Sequence, residues 1–275
     1  MMLTAELAKI LAPEQYGSRK FMRAIDHALN KRLVMDIARQ KKIPAAICSC
    51  DLKSCYDRIG HAFASLAMQR GGAPIEPIIC MFETIQKLIH SVRTGFGDSF
   101  ETFGGEFIRQ LVLQGVGQGN GAGPSIWALV SSVLFDILRK KGYGIKIKGS
   151  ISGRPLKLAG FGFVDDTDLV ETGSSSDTII EVAEKLQESI DWWERGANAS
   201  GGALTAAKSW GSLIDFTWNN GDWEYTTDFE NNNLRVKESN GEYVEIDMLK
   251  PTEAKKMLGV YLAVDGNNRI QVEIM

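Results

Sequence analysis

The stretch "LAGFGFVDDTDLVET", residues 158–172, constrains the fold most. Two apolar runs flank the adjacent aspartates Asp165 and Asp166. That pattern reads as strand, turn, strand, with two like charges at the tip of a hairpin. A second strand-like run, "IPAAICSC", leads directly into Asp51. In an antiparallel sheet, two such strands lie side by side and bring their terminal acids together.

The rest of the chain alternates strands and helices irregularly. A short helix fits Thr4 to Leu11, with Thr4 as N-cap and Pro13 beyond it. A longer one starts after Ser18, with Phe21, Ile25, Ala28 and Leu29 on one face and Lys41 and Lys42 at its negative end. Helices follow around "HAFASLAMQ" and "IEPIICMFETIQKLI", and residues 91–110 read as paired strands around Gly-rich turns. "LQGVGQGNGAGPSIWALVSSVLFDILRKK" opens as a Gly-rich loop and becomes a helix with Pro124 in its first turn. Strands are expected at 145–148, 156–164 and 168–171, and a helix from about Asp177 to Ala197. The C-terminal part, through "KMLGVYLAV" and "RIQVEI", reads as strand-rich. An antiparallel or mixed sheet backed by helices, an α+β class, fits this order better than a regular parallel array.

With 275 residues the chain is long enough to bury a sizeable core. No apolar run reaches membrane-spanning length, and the N-terminus lacks a signal-peptide pattern. Four cysteines in a chain this long point to a reduced, intracellular protein, nucleus or cytoplasm undistinguished. The cysteines of "CSCDLKSC" have no second Cys/His pair to complete a zinc site, and Cys48 and Cys50 fall on one strand face. Trp192 and Trp193 read as core or interface residues. The net charge of −3 runs against the basic excess usual in nucleic-acid binders, although bases cluster at 30–42 and 138–148.

Carboxylates gathered at strand ends repel unless a cation neutralises them. Hard oxygen donors favour Mg²⁺ or Mn²⁺. Two such ions clamp the attacking and leaving oxygens of a phosphoryl transfer. A lone Asp-Asp pair is an ordinary exposed turn, so its company decides. "DLKSCYDRI" stands before it and "QGNGAGPSIWALVSSVLF" between; "GGALTAAKSW" and "KMLGVYL" follow.

Together with "PEQYGSRKFMRAIDHAL" upstream, these blocks resemble, in order, the motifs of reverse transcriptases of retroelements, especially the non-LTR retrotransposon and group II intron types. The resemblance covers about residues 10–265. It implies a polymerase palm with partial fingers and no thumb: residues 1–42 a fingers segment, 43–214 the palm core with a fingers-like insertion at 71–115, and 215–275 a strand-rich part carrying a primer-grip hairpin. It implies that Asp51 and Asp165 bind two Mg²⁺ or Mn²⁺ ions with Asp166 assisting. Tyr56 would be the steric gate that selects deoxynucleotides, or else a partly buried core aromatic. Gln118 and Gly119 would line the nucleotide pocket. Lys208 would contact the triphosphate and protonate the leaving pyrophosphate, or be a surface lysine. Arg19 carries over best from the segment before it, and Leu258 and Gly259 turn the primer grip. Asp57 reads as structural and Asp168 as a turn or strand-edge residue.

The implied function is RNA-directed DNA polymerisation on an RNA template from a DNA or RNA primer with dNTPs. The alternative is a truncated or catalytically inactive palm that only binds nucleic acid or protein. A nucleotide cyclase ranks last, because its Gly-Gly-acidic-Glu-Phe turn is missing. Gly123 stands where the family has Ser, and Gly117 where it has Arg. The triphosphate-binding Arg-Pro-Ile-Ser segment expected before residue 10 is not in the sequence, which leads one to expect a palm-centred portion of a larger element polyprotein or a truncated copy.

Overall fold

A computed structural model describes residues 10–104, 114–117, 119–149, 151–226 and 233–274. The helices are α1 (Ala24–Lys41), α2 (Cys55–Arg58), α3 (His61–Arg70), α4 (Ile75–Lys87), α5 (Gly123–Lys141), α6 (Ile179–Ala199) and α7 (Arg269–Ile274). The strands are β1 (Ala45–Cys50), β2 (Ile89–Thr94), β3 (Gly97–Gly104), β4 (Ile145–Lys148), β5 (Pro155–Leu158), β6 (Gly160–Phe163), β7 (Asp166–Thr172), β8 (Trp210–Ile214), β9 (Phe216–Asn219), β10 (Asp222–Tyr225), β11 (Arg235–Lys237), β12 (Tyr243–Glu245), β13 (Asp247–Met248), β14 (Ala254–Met257) and β15 (Val260–Ala263).

The central sheet has the order β13-β8-β1-β7-β6. It is antiparallel except for the parallel β13–β8 pair. The fold is the mixed α+β class expected, a sheet backed by helices. β1 shows why both faces are covered: Ala46, Cys48 and Cys50 point to one apolar cluster, and Ile47 to the other. On the first face α5 and α6 close the core, with Phe135 and Trp193 fully buried and their rings 4.8 Å apart. On the second face Val34 and Met35 of α1 pack with Phe161, Val170, Trp210 and Met257.

Several local expectations hold. Pro124 lies in the first turn of α5, and Lys42 closes α1 in a left-handed conformation with φ 53°. The helix expected from about Asp177 to Ala197 is α6, which Thr178 caps reciprocally with Glu181. Trp193 is core, and Cys48 and Cys50 share a buried face with their sulfurs 3.5 Å apart. Among the described residues no helix is long and apolar enough to cross a membrane.

Others lie outside the described residues or are corrected. The first predicted helix lies almost wholly outside the described residues. The second starts at Ala24, not after Ser18, and of its expected apolar face only Ala28 is buried, while Phe21 (86%), Ile25 (52%) and Leu29 (54%) are exposed. Its buried face holds His27 and Lys31 instead, because Lys31 Nζ pairs with the buried Asp168 at 2.9 Å. Asp168 is therefore no turn or edge residue. It is fully buried on β7, with His27 Nε2 3.6 Å away. The strand expected over 156–164 breaks at Ala159, whose N–H donates to the Glu14 carboxylate at 3.0 Å. "RIQVEI" forms α7 rather than a strand; the Gln271 side chain accepts the Tyr261 N–H at 2.8 Å, occupying the edge a strand would need.

Glu171, at the end of β7 away from the aspartates, is 2% exposed. Its carboxylate accepts from Gly144 N–H at 2.7 Å and the Ser189 hydroxyl at 3.1 Å. Burial pushes it up to about 7 despite those bonds. Below its unfolded value near 4.5 it is protonated in both states and neutral to stability; as pH rises to 7 the folded state comes to carry the cost of a buried charge, on the order of 3 kcal/mol. Thermal melts should therefore show stability falling as pH rises from about 4.5 to about 7. Glu171→Gln should flatten that fall.

Candidate active site

β1 and β7 pair with Cys50 against Thr167, so the next residue, Asp51, leaves the sheet level with Asp166. Asp165 sits beside Asp166 in the two-residue turn Val164–Asp165, closed by the Phe163–Asp166 pair. The backbone of Asp51 is held on both sides. Its N–H donates to Ser209 Oγ at 3.1 Å, and its carbonyl accepts the Thr205 N–H at 3.0 Å. Both partners flank the short turn Ala206–Lys208, which puts Lys208 Nζ 3.8 Å from the Asp51 carboxylate.

The acids sense one another. Burial raises the Asp51 carboxyl, Lys208 opposes that, and Asp165 adds to it. Burial, followed by the charges of Asp165, Asp168 and Asp51, pushes Asp166 up to about 6 against the pull of Lys31. Burial and the charge of Asp165 push the Tyr56 hydroxyl up to about 12. Asp51, Asp165, Asp166 and Tyr56 thus share one electrostatic neighbourhood. Carboxylate oxygens are what Mg²⁺ and Mn²⁺ prefer, and the repulsion is what a cation relieves. The donors fit such ions in chemistry. Among the described residues, however, no three His, Cys, Asp or Glu side chains are drawn together into a ready-formed metal centre.

The turn that carries Asp165 is strained and clamped. Val164 has φ 60°, a conformation that β-branched residues avoid at a cost of about 1–3 kcal/mol. The fully buried Gln15 amide grips it from both sides. Gln15 Oε1 accepts the Val164 N–H at 3.0 Å, and Nε2 donates to the Val164 carbonyl at 3.1 Å. The same amide accepts the Gly17 N–H at 2.9 Å and donates to Ser131 Oγ at 2.9 Å. Trp127 Nε1 adds a second donor to the Val164 carbonyl. Gly17 must lack a side chain: a Cβ there would lie 2.3 Å from the Val164 nitrogen. The segment is itself paired to β6, with Tyr16 N–H on the Gly162 carbonyl at 2.7 Å and Gly162 N–H on the Glu14 carbonyl at 2.8 Å. Sequence reading noticed this segment but missed Gln15; a glutamine two residues after a proline gives no burial signal of its own. Ser209 was missed likewise.

Tyr56 stands on the single turn α2, and its carbonyl accepts the Val116 N–H at 2.9 Å, docking the Gly-rich loop beside it. Gln118 lies outside the described residues. Gly119 is exposed, with φ 93°. The departure at Gly117 has a reason, since φ 74° there is strained for the arginine of the resemblance. At Gly123 a Cβ would meet the Tyr56 ring at 3.4 Å, so the loss of serine opens space beside that ring. Arg19 donates to the Ala12 and Gln15 carbonyls at 3.2 and 3.3 Å, bracing the clamp. Leu258 (φ 47°) and Gly259 (φ 83°) form the tight turn of the β14–β15 hairpin.

No protein-family profile matches the sequence, and no curated protein matches it. Among solved structures, telomerase from Candida tropicalis truncated from its C-terminal domain aligns over 89% of this chain at 12% identity and a TM-score of 0.50. Telomerases of Candida tropicalis and Candida albicans, each in complex with a TWJ fragment of telomeric RNA, align over 89% and 88% of it, at 13% and 16% identity and TM-scores of 0.48 and 0.46. The chain spans 44%, 36% and 37% of those three telomerase chains respectively. The likeness to the truncated telomerase shows a shared fold, of the mixed α+β class.

Proposed function

We propose that this chain carries the nucleotidyl-transfer centre of an RNA-directed DNA polymerase of a retroelement. The observation that carries the reading is the meeting of Asp51 with Asp165 and Asp166 at adjoining strand ends, next to Tyr56. The substrates are dNTPs, the template is RNA and the primer DNA or RNA. Asp51 and Asp165, with Asp166 beside them, would hold two Mg²⁺ or Mn²⁺ ions, which neutralise charge and lower the pKa of an attacking hydroxyl. The chain's own residues position the reactants. Ser209 and Thr205 fix Asp51, Gln15 fixes the turn of Asp165, and Lys208 offers a cation to the departing phosphates. The Tyr56 ring bars a ribose 2′-hydroxyl. The absence of a gathered three-ligand cluster among the described residues favours, as a second reading, a palm that only binds nucleic acid.

The test is extension of a primer on an RNA template by the purified chain, with Mg²⁺ or Mn²⁺, comparing dNTPs with NTPs. Tyr56→Ala should cut the preference for dNTPs by about 10²-fold or more, the loss of a close steric contact in a rigid site. Unchanged selectivity in that variant removes Tyr56 as the gate. No incorporation of either nucleotide by the folded wild-type chain transfers the assignment to the second reading.

A further inference from the structure

We propose a second nucleic-acid site, a platform for single strands at the opposite end of the central sheet. Ala45 at the start of β1 pairs with Thr172 and Ile214, six residues from Asp51, which is about 20 Å along the strand. Two hairpins leave the sheet at that far end. β4–β5 is tied to it by the Lys146 N–H on Thr172 Oγ1 at 2.9 Å, and β9–β10 continues two residues beyond Ile214.

The β4–β5 hairpin is cationic against its own interest. Lys146 and Lys157 stand directly opposite each other and are both exposed, as are Lys148 and Arg154. Like charges in that register cost about 0.2–1 kcal/mol. None of these four is in an ion pair among the described residues, although Lys146 acts through its charge on Glu171 and Asp177. Edge lysines by themselves deter strand pairing between molecules. The neighbouring hairpin makes more of them.

The β9–β10 hairpin has an aromatic face. Phe216 opposes Tyr225 and Trp218 opposes Trp223, with ring centroids 5.3 Å apart in both pairs. The two tryptophans are 58% and 49% exposed. Adjacent lysines at the end of α1 join the hairpins. Lys41 Nζ donates to the Lys148 carbonyl at 3.2 Å, and Lys42 Nζ lies 4.7 Å from the Phe216 ring and 5.9 Å from that of Trp223. Asp222 and Glu224 alternate with the aromatics and so occupy the other face of β10.

Exposed indoles next to cations outside any ion pair among the described residues, in a chain of net charge −3, suit one occupant. A single-stranded polynucleotide offers unstacked bases to the tryptophans and phosphates to the lysines. A duplex keeps its bases stacked and leaves the indoles unused, and an acidic protein uses only the lysines. The site does not depend on the polymerase reading, because neither hairpin touches the aspartates.

The experiment is anisotropy of a labelled single-stranded RNA of about 20 nucleotides, enough to cover one such site. It is run in EDTA without nucleotides, so that the aspartates take no part. The same strand carrying 4-thiouridine is photo-crosslinked and the attached peptides identified. Crosslinks are expected on the two hairpins. Trp218→Ala/Trp223→Ala and Lys146→Glu/Lys157→Glu should each weaken binding at least about tenfold, the lysine pair also reducing the salt slope by about 1.4 or more. Circular dichroism melts check that these exposed substitutions leave the fold intact. Affinity unchanged in both variants, crosslinks confined to peptides around Tyr56 and Gly119, or equal competition by a duplex, polyglutamate or phosphatidylserine vesicles would overturn the proposal.

Discussion

Gln15→Leu will destabilise the fold by about 3 kcal/mol, measured by urea unfolding at pH 7. The side chain is fully buried and engages two N–H groups, one carbonyl and one hydroxyl. Leucine fills a similar volume but leaves the Val164 and Gly17 N–H groups without acceptors. Each such orphan costs about 1–3 kcal/mol, while the Val164 carbonyl still has Trp127. The turn at Val164 is strained, so removing the clamp also frees it to relax toward an ordinary conformation, carrying Asp165 with it. Gln15→Glu separates these effects. A protonated carboxyl keeps an acceptor and a donor, and an ionised one keeps only acceptors. That variant should lie nearer wild type at pH 5 than at pH 8. A Gln15→Leu protein as stable as wild type would show that the amide does not hold the turn.

Asp51→Asn should reduce single-nucleotide incorporation by about 10³-fold or more, the scale on which a group that meets developing charge in a shielded site acts. Stability should not fall with it. Burial and Asp165 both disfavour the ionised Asp51 in the folded chain, so an amide there removes a charge the fold does not welcome. Lys208 loses its partner, but that side chain is 71% exposed and the pair is worth little. Loss of incorporation with an unchanged or raised melting temperature in EDTA is the expected pair of results. Incorporation within tenfold of wild type would remove Asp51 from the site.

Much of the fold was legible because apolar periodicity and turn residues act locally. "AAICSC" had to be a buried strand, Pro124 had to start a helix, and the apolar runs around Asp165 and Asp166 had to be a hairpin. What was not legible was set by partners distant in sequence. Phe21, Ile25 and Leu29 look like a core face, yet Lys31 and His27 are buried because Asp168 lies 137 residues from Lys31 along the chain. "RIQVEI" alternates like a strand, but Gln271 occupies the edge it would need. The meeting of Asp51 with the hairpin acids followed from strand-end position. The Gln15 clamp did not, because nothing local marks a glutamine as buried and fully bonded.

The central claim is that the acids at the ends of β1 and β7 form a nucleotidyl-transfer site. The most direct measurement is single-turnover addition of one dNTP to a primer on an RNA template, by the wild-type chain and by Asp165→Asn, at matched folded concentration with Mg²⁺ or Mn²⁺. Addition by the wild type, dependent on the divalent ion, is expected, with none above background by Asp165→Asn. Equal addition by both proteins would contradict it.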